Sequence, residues 1–546
     1  MKKRIICLLL AVCMLLGLGA CAKTEPMPET EQVPETEQTI KEQLLSGVSQ
    51  LEKSRQLFFE EGFTITGMGV NFSGDVTKKT DNFFWPAIEK MTGVNLDIFW
   101  EEKEKYITSL STTLLTDTDE LPDILNASDF GVMDLADDGV VIPLDDYLYL
   151  MPEIVAAVGE DRMGYWRQVD GHIYTIPSII NVPGAQTMMV RKDWLDRLGL
   201  SEPRTWDEWV NLWRAIRDND LNGNGDPNDE IPFASQYGAD GERCFIPLLN
   251  AFGIRTSGDT QFCILDDGTY TMVYEHPKYP AFLEALQELY AEGLICSEFD
   301  SMYAGDMDAA MDENRLGTAF NWAERCRTSS KALREAGVQD ALWAAVAPIA
   351  GPDGAQMTPE RIMVMPMWCI TSAAEKRGKV EDIIRFFNWY YSEEGSYLYS
   401  YGLPGISYEM VDGAPVMVSE MTANGFTDYR AAGCNISSLA GLLQEGAFMQ
   451  CLFEGRTVEE MDDMTEEFYK GISVVNNGYF YALPKTYETP AYTQYRNALI
   501  TEGVCKLRNQ AIKGELSVEA FFEAYASLKQ QGLQSVIDEA SEAAGQ

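Results

Sequence analysis

The chain has 546 residues, 46% of them hydrophobic, which suffices for two domains with cores of their own, since one core seldom serves more than about 250–300 residues. Its 42 Lys and Arg stand against 85 Asp and Glu, and the resulting charge of -43 repels nucleic-acid phosphates and anionic headgroups, so no nucleic acid is expected as a partner. Two histidines, His172 and His276, leave too little material for a histidine-rich zinc centre or a Ser-His-Asp triad.

Met1-Lys2-Lys3-Arg4 followed by an apolar run over residues 5–20 has the basic start and short hydrophobic stretch of an export signal, assigned to residues 1–20. It ends in Leu18-Gly19-Ala20-Cys21, which resembles the lipobox of bacterial lipoproteins. That resemblance implies a Cys21 acylated on its thiol, a palmitate-type anchor at the outer face of the cell membrane. Residues 21–45 are rich in Thr, Glu, Pro and Gln, with Pro-Glu-Thr-Glu-Gln at 28–32 and again at 34–38, and read as an acidic disordered tether. Helical spacing over 40–59 allows an extra N-terminal helix.

An apolar strand at 63–70 is followed by a helix carrying Phe83, Phe84, Trp85 and Ile88, and then by a strand at 94–100. A further helix at 106–115 and a buried strand at 121–126 repeat the pattern. β-α-β units of this kind build parallel sheets that present ligands beyond the carboxyl ends of their strands.

Residues 189–232 join a strand, a helix and a loop. Thr205 with Glu208 reads as a capping box, and Trp206, Trp209, Trp213 and Ile216 recur at helical spacing as a buried stripe. In the loop, Asp220, Asn222, Asn224, Asp226, Asp229 and Glu230 supply oxygens, mostly on alternate residues, and Gly225 takes the sixth position, as in an EF-hand. The closing acid of an EF-hand would fall at Ile231, so the pattern is incomplete, and a metal-free Asx-rich turn is the competing reading.

Arg191-Lys192-Asp193-Trp194-Leu195, Leu198-Gly199-Leu200, Thr205-Trp206-Asp207-Glu208, Asn222-Gly223-Asn224-Gly225 and Asp229-Glu230-Ile231-Pro232 together resemble the extracellular solute-binding proteins of bacterial ABC importers, in the lipoprotein branch that binds oligosaccharides and alginate. The resemblance implies a two-lobed α/β fold of the periplasmic-binding-protein type, each lobe a mixed sheet flanked by helices and discontinuous in sequence. It also implies a structural calcium in the 220–230 loop. The expected lobes are 62–177 plus 366–405 and 183–361 plus 406–546, with crossings at 176–183, 363–369 and 401–405 and a helical tail from 481. The helix at 379–394 is expected to stop at Gly395.

A sugar cleft needs aromatic faces and groups that both donate and accept hydrogen bonds. At strand ends and crossings these are Asp81, Asn82, Trp85, Trp100, Ser128, Asp129, Trp322, Glu324, Arg361, Trp368 and Tyr401, each of the aromatics being as fit for core packing as for ligand contact. The function implied is capture of an oligosaccharide by a monomer that closes on its hinge and hands the cargo to a permease, without catalysis. A surface glycoside hydrolase and a peptide-binding lipoprotein are the alternatives. Eleven cysteines, eight of them at or beyond Cys244, contain no Cys-x-x-Cys, which speaks against thiolate metal ligation and leaves disulfide pairing open.

Overall fold

The computed structural model describes residues 42–71, 83–114, 118–127, 131–168, 170–179, 186–226, 228–236, 243–256, 261–360, 364–418, 461–475 and 489–544, with 439, 441, 442, 444, 446, 447, 450, 479–482 and 487 between them. Asp81, Asn82, Ser128, Asp129 and Arg361, together with the expected leader and most of the tether, lie outside these residues.

Two mixed sheets organise the chain. The first contains β1 (Phe63–Asn71), β2 (Val94–Glu102), β3 (Ile124–Asn126) and β4 (Thr175–Ile179). The second contains β5 (Gln186–Arg191) and β6 (Ile231–Ser235), and a small three-stranded sheet of β7 (Arg255–Thr256), β8 (Phe262–Ile264) and β9 (Tyr270–Met272) follows. β10 (Leu316–Trp322) and β11 (Trp343–Val346) complete the second sheet in the order β11-β5-β10-β6. After β12 (Thr358–Glu360) the chain returns to the first sheet as β13 (Val364–Ile370), giving the order β2-β1-β3-β13-β4.

The returns are tight because the sequence caps them. Gly93, at φ 76°, closes the helix Phe84–Thr92 in the left-handed region and turns directly into β2, whose Val94 pairs with Phe63. The inner strands of both sheets bury both faces, while edge strand β2 leaves Asp97 and Phe99 exposed. On β3, Ile124 joins one apolar cluster and Leu125 another, while on β5 Met188 and Val190 face one cluster and Met189 the other. This is the period-2 alternation of a strand covered on both sides.

Strand direction fixes which ends meet. β1 to β4 run one way and β13 runs against β3 and β4. β6 and β10 run together, and β5 runs against β10 and β11. The chain leaves β4 at Ile179, enters β5 at Gln186, and comes back from Val346 through β12 to Val364. The crossings therefore join the carboxyl ends of β1 to β4 with the carboxyl ends of β6, β10 and β11. The opposite ends of both sheets point away from them.

Several expectations change. The helix Val380–Tyr391 stops at Ser392, whose extended backbone and side chain, accepting from Gly395 N–H, start a second helix, Glu393–Tyr401, so Gly395 lies inside a helix instead of ending one. Tyr401 to Gly405 is no passage between lobes, because Tyr401, Leu403, Tyr408, Met417, Leu439 and Ala447 all pack in the first cluster. The hairpin of β14 (Tyr408–Val411) and β15 (Ala414–Met417) therefore belongs with the first sheet, and among the described residues Leu439, Ala447 and Gln450 are still placed with that half. In the second half the helix Asp463–Val475 packs on β11, and β16 (Phe480–Ala482) pairs in parallel with β12 before the helical tail begins. Residues 42–47 are helical, the chain leaves that helix well before 59, and Leu44, with Val48 and Leu57, joins the first cluster. Cys263, Cys296, Cys326 and Cys369 are buried free thiols and Cys244 and Cys505 are buried too; burial pushes Cys263 and Cys369 up to about 12.

Candidate functional site: the crossing ends of two sheets

At the crossing end of the first sheet, three indoles form a row. Trp85 lies 6.1 Å from Trp100, and Trp100 lies 5.9 Å, edge-on, from Trp368. Gly69 on β1 makes room for them, since a Cβ there would stand 2.6 Å from Trp100 and 2.8 Å from Trp368. The row is graded in depth. Trp368 is fully buried, with its indole N–H donating to Leu439 O at 2.8 Å, and Trp85 is 7% exposed with an indole N–H that has no partner. Trp100 is only partly buried and forms the outer member. Tyr401, at 4% exposure, sits between Tyr397 and Tyr408. Trp85, Trp368 and Tyr401 are thus core residues, and Trp100 alone of the first sheet's expected aromatics offers a face.

Across the crossings, Trp322 ends β10, half-buried, with its backbone N–H on Asn321 Oδ1 at 2.8 Å. Glu324 follows as the N-cap of the helix Arg325–Glu335, its carboxylate 3.9 Å from Arg327. Arg325 pairs with Asp312 at 2.9 Å and approaches Asp308 at 3.4 Å, and Asn321 donates to Asp308 at 2.9 Å. Arg325 and Arg327 were passed over in the sequence, where two cations after a strand read as an ordinary helix start. Only the strand's direction puts them at this end.

The 220–230 loop stands at the far end of the second sheet, directly before Ile231. Asp220 accepts the N–H groups of Gly223, Asn224 and Gly225, while Asn222 Oδ1 takes Asn224 N–H and Asn224 Oδ1 takes Asp226 N–H. Asp229 receives the amide groups of Asn222 and Asn224 at 2.9 and 2.7 Å. Gly223 and Gly225, at φ 75° and 91°, supply the turns that such winding needs. Glu230 is 8% exposed; Oε1 holds the N–H groups of Leu221 and Asn222, but Oε2 is buried with no partner. Burial pushes the Glu230 carboxyl above its ordinary value, beyond what its backbone hydrogen bonds recover. A buried orphan oxygen in a loop of wound carboxylates and carboxamides fits a hard cation. No cluster of three acidic, His or Cys ligands is assembled among the described residues.

The loop is tied to the core by two guanidinium groups. Arg191, fully buried, makes a bidentate pair with Asp193 at 2.8 and 2.7 Å and donates to Asn314, which reaches Asn222 O at 3.4 Å. Arg197 donates to Leu221 O. A recess of 710 Å³ adjoins the loop, lined among others by Arg217, Glu230, Ser297, Glu298 and Arg315. It opens at the starts of β6 and β10, the end opposite the crossings, so it is distinct from a cleft between the sheets.

Residues 74–256 match the family described as "Bacterial extracellular solute-binding protein". The fructooligosaccharide ABC transporter substrate-binding protein FusA of Streptococcus pneumoniae is 29% identical over 257 residues, 44% of this chain and 47% of that one, so the match spans about half of its length. Lipoprotein LipO of Bacillus subtilis is 20% identical over 459 residues, 82% of this chain and 85% of its own. Among solved structures, alginate-binding protein AlgQ2 without calcium ion superposes with a TM-score of 0.69 at 21% identity, over 90% of this chain and 100% of that chain. An EF-hand mutant of FusA with fructo-nystose gives 0.64 at 19% identity, over 88% and 98%. At such identities these structures establish the two-lobed α/β fold. No helix among the described residues is long and apolar enough to cross a membrane.

Proposed function

We propose that this chain is an extracellular solute-binding protein that captures an oligosaccharide between its two α/β halves and delivers it unaltered to an ABC permease, a reading supported by the family match over residues 74–256. The observation that carries the reading is the meeting of two sheets at their crossing ends, with a partly exposed indole on each side, Trp100 and Trp322. Flat indole faces suit the C–H faces of sugar rings, and Glu324, Arg325 and Arg327 supply acceptors and donors for hydroxyls. Relatives named for fructooligosaccharide and alginate binding support a carbohydrate over a peptide.

Closure follows from the topology. The halves share few chain crossings, so a ligand touching both favours the shut form by whatever contacts it makes only there. Anchoring through Cys21 fits the named lipoprotein relative and would hold the chain at the extracellular face of the cell membrane.

In the 220–230 loop, Asp220, Asn222, Asn224, Asp226, Asp229 and Glu230 would hold a calcium ion. Bound there, the ion supplies charge neutralisation and fixes the loop, a structural service remote from the cargo. Calorimetry against a panel of fructooligosaccharides, oligogalacturonates and peptides tests the function. Saturable binding of a saccharide, with the sugar recovered intact, is expected; products released from the sugar, or binding of peptides alone, would overturn it.

A further inference from the structure

The β14–β15 hairpin ends in a two-residue turn, Asp412-Gly413, both in the left-handed region at φ 51° and 84°. Its root is fixed. Tyr408 and Met417 sit in the first core, Met417 N–H donates to Gln450 Oε1 at 2.7 Å, and Gln450 Nε2 donates to Pro415 O at 3.0 Å.

Above that root the ribbon pairs with no third strand among the described residues. Pairing of Glu409 with Val416 and Val411 with Ala414 puts four side chains on one face, and Met410 with Pro415 on the other. Met410 is 55% exposed, Val411 49% and Val416 42%. A lone two-stranded ribbon is marginal in water, and one that exposes aliphatic side chains on both faces beside its tip, Val411 and Val416 on one and Met410 on the other, marks a projection that a partner covers.

Its place in the fold says which partner. Gly402 packs against Phe83, the residue that opens the helix following the crossing end of β1, so the hairpin rises from that end of the first half. Gly47 lies against Leu403 and Ile406, so the helix over 42–47, where the described chain begins, abuts the hairpin root. About 20 residues separate Glu42 from Cys21, a span of at most roughly 70 Å even when fully extended. The start of the described chain, the crossing ends of the sheets and the exposed ribbon thus share one end of the molecule.

We propose that residues 408–417 form a docking finger for the membrane-embedded permease, inserting Met410, Val411 and Val416 into an apolar pocket with a basic rim that meets Glu409 and Asp412. The inference rests on the oligosaccharide-import reading. Glu409, Asp412 and the net charge of -43 speak against insertion into an anionic leaflet.

The test uses the full lipoprotein in cells that carry its importer, with Val411→Lys/Val416→Lys as the variant. Calorimetry of the purified variant against kestose and oligogalacturonate should match the parent, and thermal stability should hold. Uptake of whichever saccharide binds should fall at least tenfold. A photo-crosslinking residue in place of Val411 should yield an adduct that mass spectrometry identifies as a transmembrane subunit of the importer. Unchanged uptake, or adducts only with lipid or with a second copy of the chain, would overturn the docking role. If the parent binds neither saccharide, the import reading is what fails, and the crosslink still decides the surface.

Discussion

The two halves tie off the far ends of their sheets with opposite chemistry. In the first, a fully buried carboxylate, Asp123, stands before β3 and receives Arg377 and Lys379, both at 2.8 Å, together with the N–H and hydroxyl of Thr66. In the second, a fully buried guanidinium, Arg191, is held by Asp193 and Asn314, and the neighbouring loop keeps Asp220, Asp226, Asp229 and Glu230 with one carboxylate oxygen unpartnered. The first end is balanced by the chain's own cations. The second is left short of positive charge, which an ion from outside would supply. The difference teaches that the second half should depend on calcium and the first on a single aspartate.

Breaking the balanced end should cost most. Asp123→Ala strips two cations and a backbone N–H of their acceptor and should lower unfolding stability by on the order of 3 kcal/mol, read by denaturant melts. Burial pushes the Asp123 carboxyl up, but hydrogen bonds from Lys379, Thr66 and Arg377 outweigh that and hold it below its ordinary value. Its contribution is therefore present above an unfolded aspartate value of about 3.9 and is lost as pH falls through the lower folded value. The parent and Asp123→Asn should accordingly converge in stability in strong acid, and a constant gap down to the acid transition would contradict the assignment.

Calcium removal should sharpen the contrast from the other side. At a free ion concentration a hundredfold above Kd, binding adds about 2.7 kcal/mol, so chelation should lower the melting temperature while saccharide affinity holds, because the loop lies at the end opposite the crossings. A melt indifferent to chelator would remove the ion. Smaller again is the cap between these features. Thr205 Oγ1 accepts Glu208 N–H at 3.4 Å, and Glu208 Oε2 takes Thr205 N–H at 2.9 Å and Arg204 N–H at 2.8 Å. Thr205→Ala should cost about 1 kcal/mol, measured by the same melts, with ligand affinity unchanged.

Local signals were the legible ones. The capping box at Thr205, the buried stripe of Trp209, Trp213 and Ile216, and strands starting at Phe63 and Val94 stand as the residue pattern dictates, because each depends on neighbours within a few positions. The two-lobed fold followed from the motifs around residues 191–232. What the sequence hid depends on distant partners. Trp368 reads as a cleft aromatic until its N–H is seen to donate to Leu439 O, 71 positions away, and Trp100 stays outermost only because Gly69 lets three indoles share one strand end. Ser392 breaks a helix that periodicity alone would have run to Gly395, since a side-chain cap can restart a helix within one residue. Arg325 and Arg327 carried no sequence signal for the cleft; only the parallel pairing of β10 with β6 orients them.

Small-angle scattering of the calcium-loaded protein, with and without a saccharide that calorimetry has shown to bind, tests the central claim most directly. Two halves closing on a guest predict a radius of gyration that shrinks on saturation and returns when the sugar is dialysed away. A scattering curve identical with and without the bound sugar would contradict closure of the two sheets around it.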